Sequence, residues 1–572
     1  QCGEAGEMGM TADGESAPWT WKKGFDTVLV FPEPAMDQRG FAEALRLRCS
    51  DLAERLVFGS GREVTGRDVR NGLGGFAQSF GVVEAAREFA RMMPANRPAD
   101  GVRFGWPVLE IDMRAATIRR SVVRTASRQG DTTPTITVRA EGANSWRRQG
   151  LDSLPLPPDM LAGHGAGYLG YPGGWGLDWT TASPVSDRLW IDLGGAPIEL
   201  SWSGHEDSFD RSLRACLLEG VERTVGALGS GSHVVTCPAV ELDARYYGPD
   251  AFGRFPPLAY GAQVEEFSPW EPHEWIAARS LVTGERVYVP LELAHYGREV
   301  RRRWALGTSS GWAVGSTPEE AAFFGLLELV ERDAVVSCWY GGITPDSVDA
   351  ATVEGIHDVL TRAGLLGCRF HLSLIPSDFG IPVIVAAAEV EEAFVFGSAA
   401  HPDPERAVVG AVKEAWTYLP ERQRHARRLR SAGVLPVTDF AAVRSIHDHA
   451  SLAFKPTGLK GLDRFKDKGP EHSVPLGEIR PWRMDDAGDG PLGGIVSALA
   501  AKGLEPLATV CASATADAIG VSVVGTLVPG LVPIDFGWNR QRALQMDRTS
   551  ALAAAFGSPP PSADLAEPHP FS

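Results

Sequence analysis

The chain carries one charged heptapeptide twice, as LLEGVER at residues 217–223 and as LLELVER at residues 326–332. In each copy two glutamates and an arginine stand at positions i, i+3 and i+4, an interval that places all three side chains on one face of a helix. A single copy is typical of a solvent-exposed helix with glutamate–arginine pairs, but two near-identical copies indicate a shared role. The residues concerned are Glu219, Glu222, Arg223, Glu328, Glu331 and Arg332.

The residues just before each copy are apolar and small, ACLL and FFGLL. These apolar residues indicate that the helices are substantially buried and that their carboxylates line a cleft. Clustered carboxylates repel one another, and a hard divalent cation with oxygen ligands relieves that repulsion. Because Mg²⁺ typically binds one or two protein carboxylates together with substrate phosphates, the paired helices predict a site for a magnesium-bound nucleotide.

The helix that carries the second copy has a clear start signal. Thr317 stands at the N-cap position, Pro318 at the first helical position and Glu320 at the third, which is the pattern of a capping box. Glu320 therefore has two interpretations of about equal weight. It is either a partner of the helix start or a contact to the nucleotide.

Three other strings resemble known functional motifs, but each lacks a helix or a residue that its motif requires. GAGYLG at 165–170 has the glycine spacing of a dinucleotide loop, but no helix opens after it. GTSSG at 307–311 lacks the immediate helix of a serine-hydrolase elbow, and Ala277 occupies the second zinc-ligand position after His273 and Glu274. No GxxxxGK[ST] string occurs, so any nucleotide must bind without a P-loop.

Composition narrows the class of protein further. The chain has 572 residues, of which 55 are Lys or Arg and 72 are Asp or Glu, giving a net charge of −17 that disfavours nucleic acid or an anionic membrane as a partner. Seven scattered cysteines form no CxxC pair, which predicts a reducing, cytoplasmic location. No uncharged apolar run is long enough to span a membrane.

Patterning along the chain predicts an α/β (α+β) protein with mixed sheets and helices. A strand at 27–34 and a helix at 41–58 open a smaller N-terminal α/β module, expected to dock a partner. The Pro-rich stretch at 153–159 marks a linker. The predicted boundaries are 1–20 for a disordered remnant, 21–150 for the N-terminal module, 151–184 for the linker and 185–572 for the core with its Pro-rich tail.

The core resembles the YcaO family, ATP-dependent enzymes that activate backbone amides of ribosomal peptides. The resemblance covers roughly 185–572 and depends mainly on GTSSGWAVGSTPEEAAFFGLLELVERDA at 307–334 and on the CLLEGVER helix. Supporting strings stand at 275–290, 375–386, 399–415 and 525–537. The resemblance implies a YcaO-like fold that binds ATP and Mg²⁺.

Functional residues follow from the resemblance position by position. It implies that Glu219, Glu222, Glu328 and Glu331 bind Mg²⁺ and the phosphates of ATP. It also implies that Glu320, Arg332 and Ser316, the last at a position where the family commonly has Asn, contact the nucleotide.

Three further positions depart from the family pattern. His205 stands where the family usually has the lysine of Gly-Lys-Gly, and Thr417 and Leu419 stand where it typically has Gln and Arg. These changes leave the predicted metal carboxylates intact. They also keep open the alternative of a catalytically weak scaffold that binds a peptide or partner without turning over ATP.

The C-terminus points to a subtype of the family. Azoline-forming members resemble this chain in ending with a PxPxP tail that reaches the active site, and here the ending is Pro568, His569, Pro570, Phe571 and Ser572. His569 is the candidate proton-transfer group, since an unperturbed histidine pKa lies near neutrality. The alternative is a disordered end.

The resemblance therefore implies a cyclodehydratase that converts Cys, Ser or Thr of a ribosomal precursor peptide, as in thiopeptide biosynthesis, to thiazolines or oxazolines. A YcaO enzyme forming thioamides or macroamidines is the second alternative. Nothing in residues 20–150 resembles a ThiF-like fold with zinc cysteines, so we expect a separate leader-binding partner of that kind, and a homodimer. The peptide, the number of rings and the choice among Cys, Ser and Thr do not follow from the sequence.

Overall fold

A computed structural model describes most of the chain after residue 145 and five strands before it. The described residues are 19–23, 27–32, 57–58, 106–112, 117–123, 136, 146–154, 156, 161, 169, 174–176, 182–191, 198–229, 233–298, 300–391, 393–432, 439–454, 459–469, 472–483, 490–511, 513–559 and 566–571. Of the predictions above, most of the helix at 41–58, most of the loop at 165–170 and Ser572 lie outside these residues.

The N-terminal strands form one antiparallel sheet in the order β3-β1-β2-β4-β5. The strands are β1 (Trp19–Lys23), β2 (Thr27–Pro32), β3 (Val57–Phe58), β4 (Trp106–Asp112) and β5 (Thr117–Val123). The strand predicted at 27–34 is β2. Two expectations are wrong in detail, because residues 19–20 belong to a strand and the last two residues of the predicted helix at 41–58 form β3.

The remaining strands form three sheets, and nearly all of their pairs are antiparallel. In chain order they are β6 (Gly174–Trp175), β7 (Ser183–Ile191), β8 (Ile198–Glu206), β9 (Val234–Pro238), β10 (Pro272–Ser280), β11 (Arg286–Pro290), β12 (Trp312–Gly315), β13 (Asp346–Asp349), β14 (Arg369–Ile375), β15 (Val383–Val390), β16 (Ala393–Ala400), β17 (Ser473–Pro475), β18 (Leu507–Val510) and β19 (Ser522–Leu527). The sheets run β6-β7-β8, β11-β10-β18-β19-β12 with β9 on β10, and β16-β15-β14-β13-β17. The pair β13 and β17 is parallel.

Helices pack between and outside these sheets. The described helices are α1 (Phe209–Leu228), α2 (Leu291–Ala294), α3 (Pro318–Tyr340), α4 (His357–Leu365), α5 (Pro404–Ser431), α6 (Ile446–Ser451), α7 (Gly490–Ala500), α8 (Ala514–Ala518) and α9 (Asp547–Ala555). The predicted α/β class with mixed sheets and helices is confirmed. Within the ranges given above, no helix combines the length and the apolar character needed to cross a membrane.

Helix α3 lies at the centre of the core. It packs on β12 and β19 of one sheet and on β15 and β16 of another, while α1 packs on β8 and α5 on β15 and β16. Its start is fixed by Thr317, whose hydroxyl accepts from the Glu320 N–H at 3.2 Å, and by Pro318 at the first position. Residues on all sides of α3 are buried, which is why its sequence is apolar around the charged face.

A buried ion pair ties α3 to α9. Arg548 donates to both carboxylate oxygens of Asp333, at 2.7 and 2.6 Å, and to Asp378 at 2.8 Å. The backbone N–H of Val532 donates to Asp333 at 2.8 Å. Because the Asp333 side chain is only 2% exposed, its charge depends on these donors.

We expect Arg548→Ala to lower the free energy of unfolding by about 3–5 kcal/mol, since it leaves a buried carboxylate without its counter-charge. Arg286→Ala is the control, because Arg286 and its partner Asp243 are both more than half exposed and solvent screens such a surface pair, which contributes little to stability. Urea unfolding of both variants and the wild type measures the difference. Equal shifts in the two variants would contradict the assignment.

Candidate functional site

On each of three helices, one glutamate carboxylate accepts a hydrogen bond from the strand or loop that precedes the helix. In each case a backbone N–H donates to a glutamate carboxylate 16 or 17 residues further along the chain. The pairs are Ser203 with Glu219 at 2.8 Å, Gly311 with Glu328 at 2.9 Å, and Ser398 with Glu414 at 2.7 Å. The charged heptapeptide thus covers two of three equivalent positions, on α1 and α3, and Glu414 on α5 is the third.

Close packing of each helix on its strand makes this hydrogen bond possible. At Gly204 a Cβ atom would lie 1.9 Å from the Ser212 carbonyl oxygen, and at Gly397 it would lie 2.4 Å from the Ala411 carbonyl oxygen. On α3 the glycine is in the helix, because a Cβ at Gly325 would lie 2.5 Å from the Gly311 carbonyl oxygen. Side chains larger than hydrogen at Gly204, Gly397 and Gly325 would push each helix away from the strand or loop beside it.

The first carboxylate pair lies on α1. Glu219 accepts from Arg223 at 3.0 Å as well as from the Ser203 backbone. Burial raises the pKa of Glu222 well above its ordinary value, and the nearby Glu219 and Glu328 charges raise it further, while Arg223 opposes them. Glu222 on α1 and Glu328 on α3 are therefore close enough for their charges to interact, so the two copies of the heptapeptide lie near each other.

The second pair lies on α3. Glu328 stands 3.7 Å from Arg332, and burial raises the pKa of its carboxyl group although Arg332 and the Gly311 N–H oppose the shift. Glu331 points toward β16, where it accepts from the Ser398 hydroxyl at 2.5 Å and from the Ala400 N–H at 3.0 Å. Glu331 and Glu414 thus share Ser398 as a donor.

Arg332 and Glu414 complete the cluster. Burial raises the pKa of Glu414 to about 7, with Arg332 lowering it and Glu331 raising it. Arg332 faces Glu331, Glu328 and Glu414, and these charges hold its pKa above the ordinary value despite its burial. Glu414 was absent from the predicted site because its helix lacks the heptapeptide. The signal that could have found it is a glycine-containing strand followed at the same interval by a helical glutamate.

The three positions that depart from the family pattern, His205, Thr417 and Leu419, lie on the strand β8 and the helix α5 that carry or flank this cluster. His205 is half-buried with its ring edge-on to Tyr418 at 5.8 Å, and desolvation lowers its pKa, so it is neutral at pH 7. The nearby cation is Lys413, which donates to Glu206 at 2.6 Å. Thr417 donates its hydroxyl to the Lys413 carbonyl at 2.8 Å and Leu419 is core.

The capping-box prediction at Glu320 is half right. Thr317 does cap the Glu320 N–H, but the Glu320 carboxylate does not return to the helix start. Instead it accepts from the Ser316 hydroxyl at 2.5 Å, from Arg147 at 3.2 Å and from the Arg148 N–H at 3.1 Å.

The tail is ordered and buried, so the alternative of a disordered end is wrong for 566–571. His569 donates from Nε2 to the Asp535 carbonyl at 3.0 Å, and its own carbonyl accepts from His449 at 2.6 Å. Burial, His449 and Arg332 hold the pKa of His569 well below its ordinary value, so the expectation of a histidine pKa near neutrality is wrong here. Phe571 packs among the aromatic rings of Trp339, Phe396 and Phe465 in the core.

An open cleft of about 560 Å³ leads to Arg332. Its polar wall is the loop with Gly307, Thr308 and Ser310, and most of its other wall is apolar, with Leu527 and Leu531 among the lining side chains. A small or extended ligand can therefore approach the arginine from this side.

The donor set fits Mg²⁺ and phosphate. In the part of the chain that the structure describes, no three His, Cys, Asp or Glu side chains converge on one point as a ready metal cage. Mg²⁺ does not need one, since it usually takes one or two carboxylates and completes its shell with phosphate oxygens and water. The half-buried carboxylates of Glu222 and Glu328, whose pKa values are raised by desolvation, indicate a place where a cation would be stabilised. Arg332, whose buried Nε has no hydrogen-bond partner among the described residues, suits an anionic ligand.

Comparison with curated proteins gives distant relatives. An "Uncharacterized protein in tfuA 3'region" from Rhizobium leguminosarum bv. trifolii is 28% identical over 279 residues, which cover 46% of this chain and 61% of that protein. An uncharacterized protein of Mycobacterium tuberculosis is 25% identical over 370 residues, covering 61% of this chain and 77% of the relative. The alignment thus spans less than two thirds of the first of these relatives.

Two solved structures share the fold. One, described as "Heterocyclase in complex with substrate and Cofactor", aligns with a TM-score of 0.69 at 18% identity, over 96% of this chain and 77% of that chain. The other, "Structure of the heterocyclase TruD", aligns with a TM-score of 0.58 at 17% identity, over 90% and 67%. At such identities the likeness concerns the fold.

A family model described as "YcaO cyclodehydratase, ATP-ad Mg2+-binding" matches residues 203–532. The match covers more than half of the chain and contains the three helices that carry Glu219, Glu328 and Glu414. The carboxylate cluster and its arginines lie within it. The chain therefore belongs to the YcaO family, and ATP and Mg²⁺ are its cofactors.

Proposed function

We propose that this chain is an ATP-dependent cyclodehydratase acting in the cytoplasm on a ribosomal precursor peptide. A Cys, Ser or Thr side chain of the peptide gives up its S–H or O–H proton as it attacks the preceding backbone carbonyl carbon, and the carbonyl oxygen accepts the γ-phosphoryl group of ATP. Loss of phosphate and of the amide proton leaves the C=N bond of a thiazoline or oxazoline, with ADP as the other product. The role of the protein is to position the reactants and to neutralise the charge of the transferred phosphoryl group.

The observation that carries this proposal is the carboxylate cluster around Arg332. We assign Glu219, Glu222, Glu328 and Glu331 to the metal, and Arg332, Glu320 and Ser316 to the nucleotide. Bound Mg²⁺ neutralises charge on the phosphates. The backbone N–H donors of Ser203 and Gly311 fix two of the carboxylates before ligand arrives, so that little reorganisation is required.

The tail supports the azoline-forming subtype. Pro568 to Phe571 are buried against the core, and the His569 ring is near enough to Arg332 for that charge to depress its pKa. By its resemblance to the tail of azoline-forming members, we assign proton transfer to the neutral His569 ring, which Pro568 and Pro570 hold in place.

Two alternatives remain distinct from this proposal. A YcaO enzyme that forms thioamides or macroamidines would use the same nucleotide site with another nucleophile. A weak scaffold is favoured by the neutral, half-buried His205 and by Thr417, whose hydroxyl donates a hydrogen bond within its own helix. We expect a separate ThiF-like partner to hold the peptide leader, and a homodimer.

We expect Glu328→Gln and Glu331→Gln each to weaken binding of MgATP by about 10- to 100-fold, since each removes one charged ligand. Isothermal titration of ATP with and without Mg²⁺ measures the effect. Asp210→Asn on α1 is the matched control, because its carboxylate is 77% exposed and pairs with Arg214 at the surface. Variants that bind MgATP as tightly as this control would exclude the metal assignment.

The reaction itself is tested with oxygen-18 in the target carbonyl of the peptide. We expect the label in phosphate and ADP as the nucleotide product, because the carbonyl oxygen leaves with the γ-phosphoryl group. Label retained in the peptide, or AMP as product, contradicts this route. Exchange of oxygen for sulfur supports the thioamide alternative, and loss of water that survives replacement of every target Cys, Ser and Thr by Ala supports the macroamidine.

Histidine 569 provides the test of the tail. We expect His569→Asn to slow ring formation by about 10²- to 10⁴-fold with MgATP affinity unchanged, since Asn can donate to the Asp535 carbonyl but cannot accept a proton at neutral pH. Glu567→Gln is the control on the same segment, because its carboxylate only accepts from Lys460 and Gly461 N–H groups. Equal rates in the two variants would remove His569 from the mechanism.

A further inference from the structure

A short segment from outside the family match lies across the start of α3. Trp146 stacks on Phe323 with ring centroids 5.6 Å apart and an interplanar angle of 15°. Its ring also meets His401 edge-on at 6.1 Å. These contacts fix the position of the two arginines that follow.

Arg147 extends from this anchor along the charged face of α3. Its Nη1 lies 3.2 Å from Glu320 Oε1, and its guanidinium carbon lies 4.0 Å from the centre of the Phe324 ring. Glu320, Phe324 and Glu328 stand at i, i+4 and i+8, so they form one stripe along the helix. Arg147 is therefore one helical turn from the metal carboxylate Glu328.

The electrostatic surroundings of Arg147 agree with this placement. Burial lowers the pKa of its guanidinium, and the charges of Glu320, Glu206 and Glu222 raise it. Those three carboxylates come from α3, β8 and α1, so Arg147 lies within the field of the carboxylate cluster. The Arg147 side chain is nevertheless 54% exposed, so it is open to solvent and is not enclosed in the core.

We propose that Arg147 contacts the polyphosphate of the bound nucleotide, and so completes the nucleotide site from outside residues 203–532. A guanidinium carries five donors in a planar fork and can serve a carboxylate and a phosphate at once. Glu320 and Phe324 hold the guanidinium in place, and the stacked Trp146 fixes the backbone just before Arg147. The proposal rests on the proposed function, because it assumes that MgATP occupies the cluster of Glu219, Glu222, Glu328 and Glu331.

The test compares two nucleotides on variants of neighbouring arginines. We expect Arg147→Gln to weaken MgATP binding by about 10- to 100-fold and AMP binding much less, because a contact to the polyphosphate is lost. The affinity of Arg147→Lys for MgATP should lie between those of Arg147→Gln and the wild type, because lysine keeps the charge but lacks the planar fork of donors. Arg148→Gln is the matched control, since Glu320 uses only the Arg148 backbone N–H, and it should bind both nucleotides like the wild type.

Each other outcome decides against the proposal. Wild-type affinity of Arg147→Gln for MgATP, tighter binding by it, or an equal loss for MgATP and AMP would assign Arg147 to fastening the segment alone. If Arg147→Gln lowers the thermal unfolding midpoint more than Arg148→Gln does, Arg147→Lys provides the test instead. A larger loss of affinity for MgATP than for AMP in Arg147→Lys supports the proposal, and an equal loss contradicts it. A wild type that does not bind MgATP refutes the proposed function itself.

Discussion

A hydrogen bond from a strand or loop backbone to a half-buried glutamate on the next helix recurs three times, and the site depends on it. Main-chain donors at Ser203, Gly311 and Ser398 hold carboxylates on α1, α3 and α5. Since a backbone N–H has no rotamers, each carboxylate is held as rigidly as the strand itself. Glycines at the contact let helix and strand approach closely enough, and the sheets then bring the helices together.

This arrangement concentrates more negative charge than its arginines neutralise. Glu222, Glu328 and Glu414 are half-buried, and desolvation raises their pKa values, whereas Arg223 and Arg332 are the cations that face them most directly. Desolvated carboxylates of this kind are stabilised either by protons or by added cations. The proposed Mg²⁺ would therefore relieve the same desolvation that makes the cluster unfavourable alone.

Local patterns allowed part of this to be predicted. The heptapeptide indicated the shared helical faces of α1 and α3, and the start signal at Thr317 fixed one helix end, because both depend on neighbours within one or two turns. Glu414 escaped assignment since its environment is set by sheet packing and its sequence is different. The partner of Glu320 could not be foreseen, because Arg147 is 173 residues away in the chain. The low pKa of His569 likewise follows from burial that only the fold creates.

The aromatic contacts at the two ends of the described core show that the folded unit is larger than the stretch carrying the family pattern. A fragment trimmed to residues 203–532 would lack both Trp146 and Phe571. Phe323 would lose its stacked ring, and Trp339 and Phe396 would face water. Exposed aromatic surface of this kind promotes aggregation, so a trimmed fragment would be a poor stand-in for the intact enzyme.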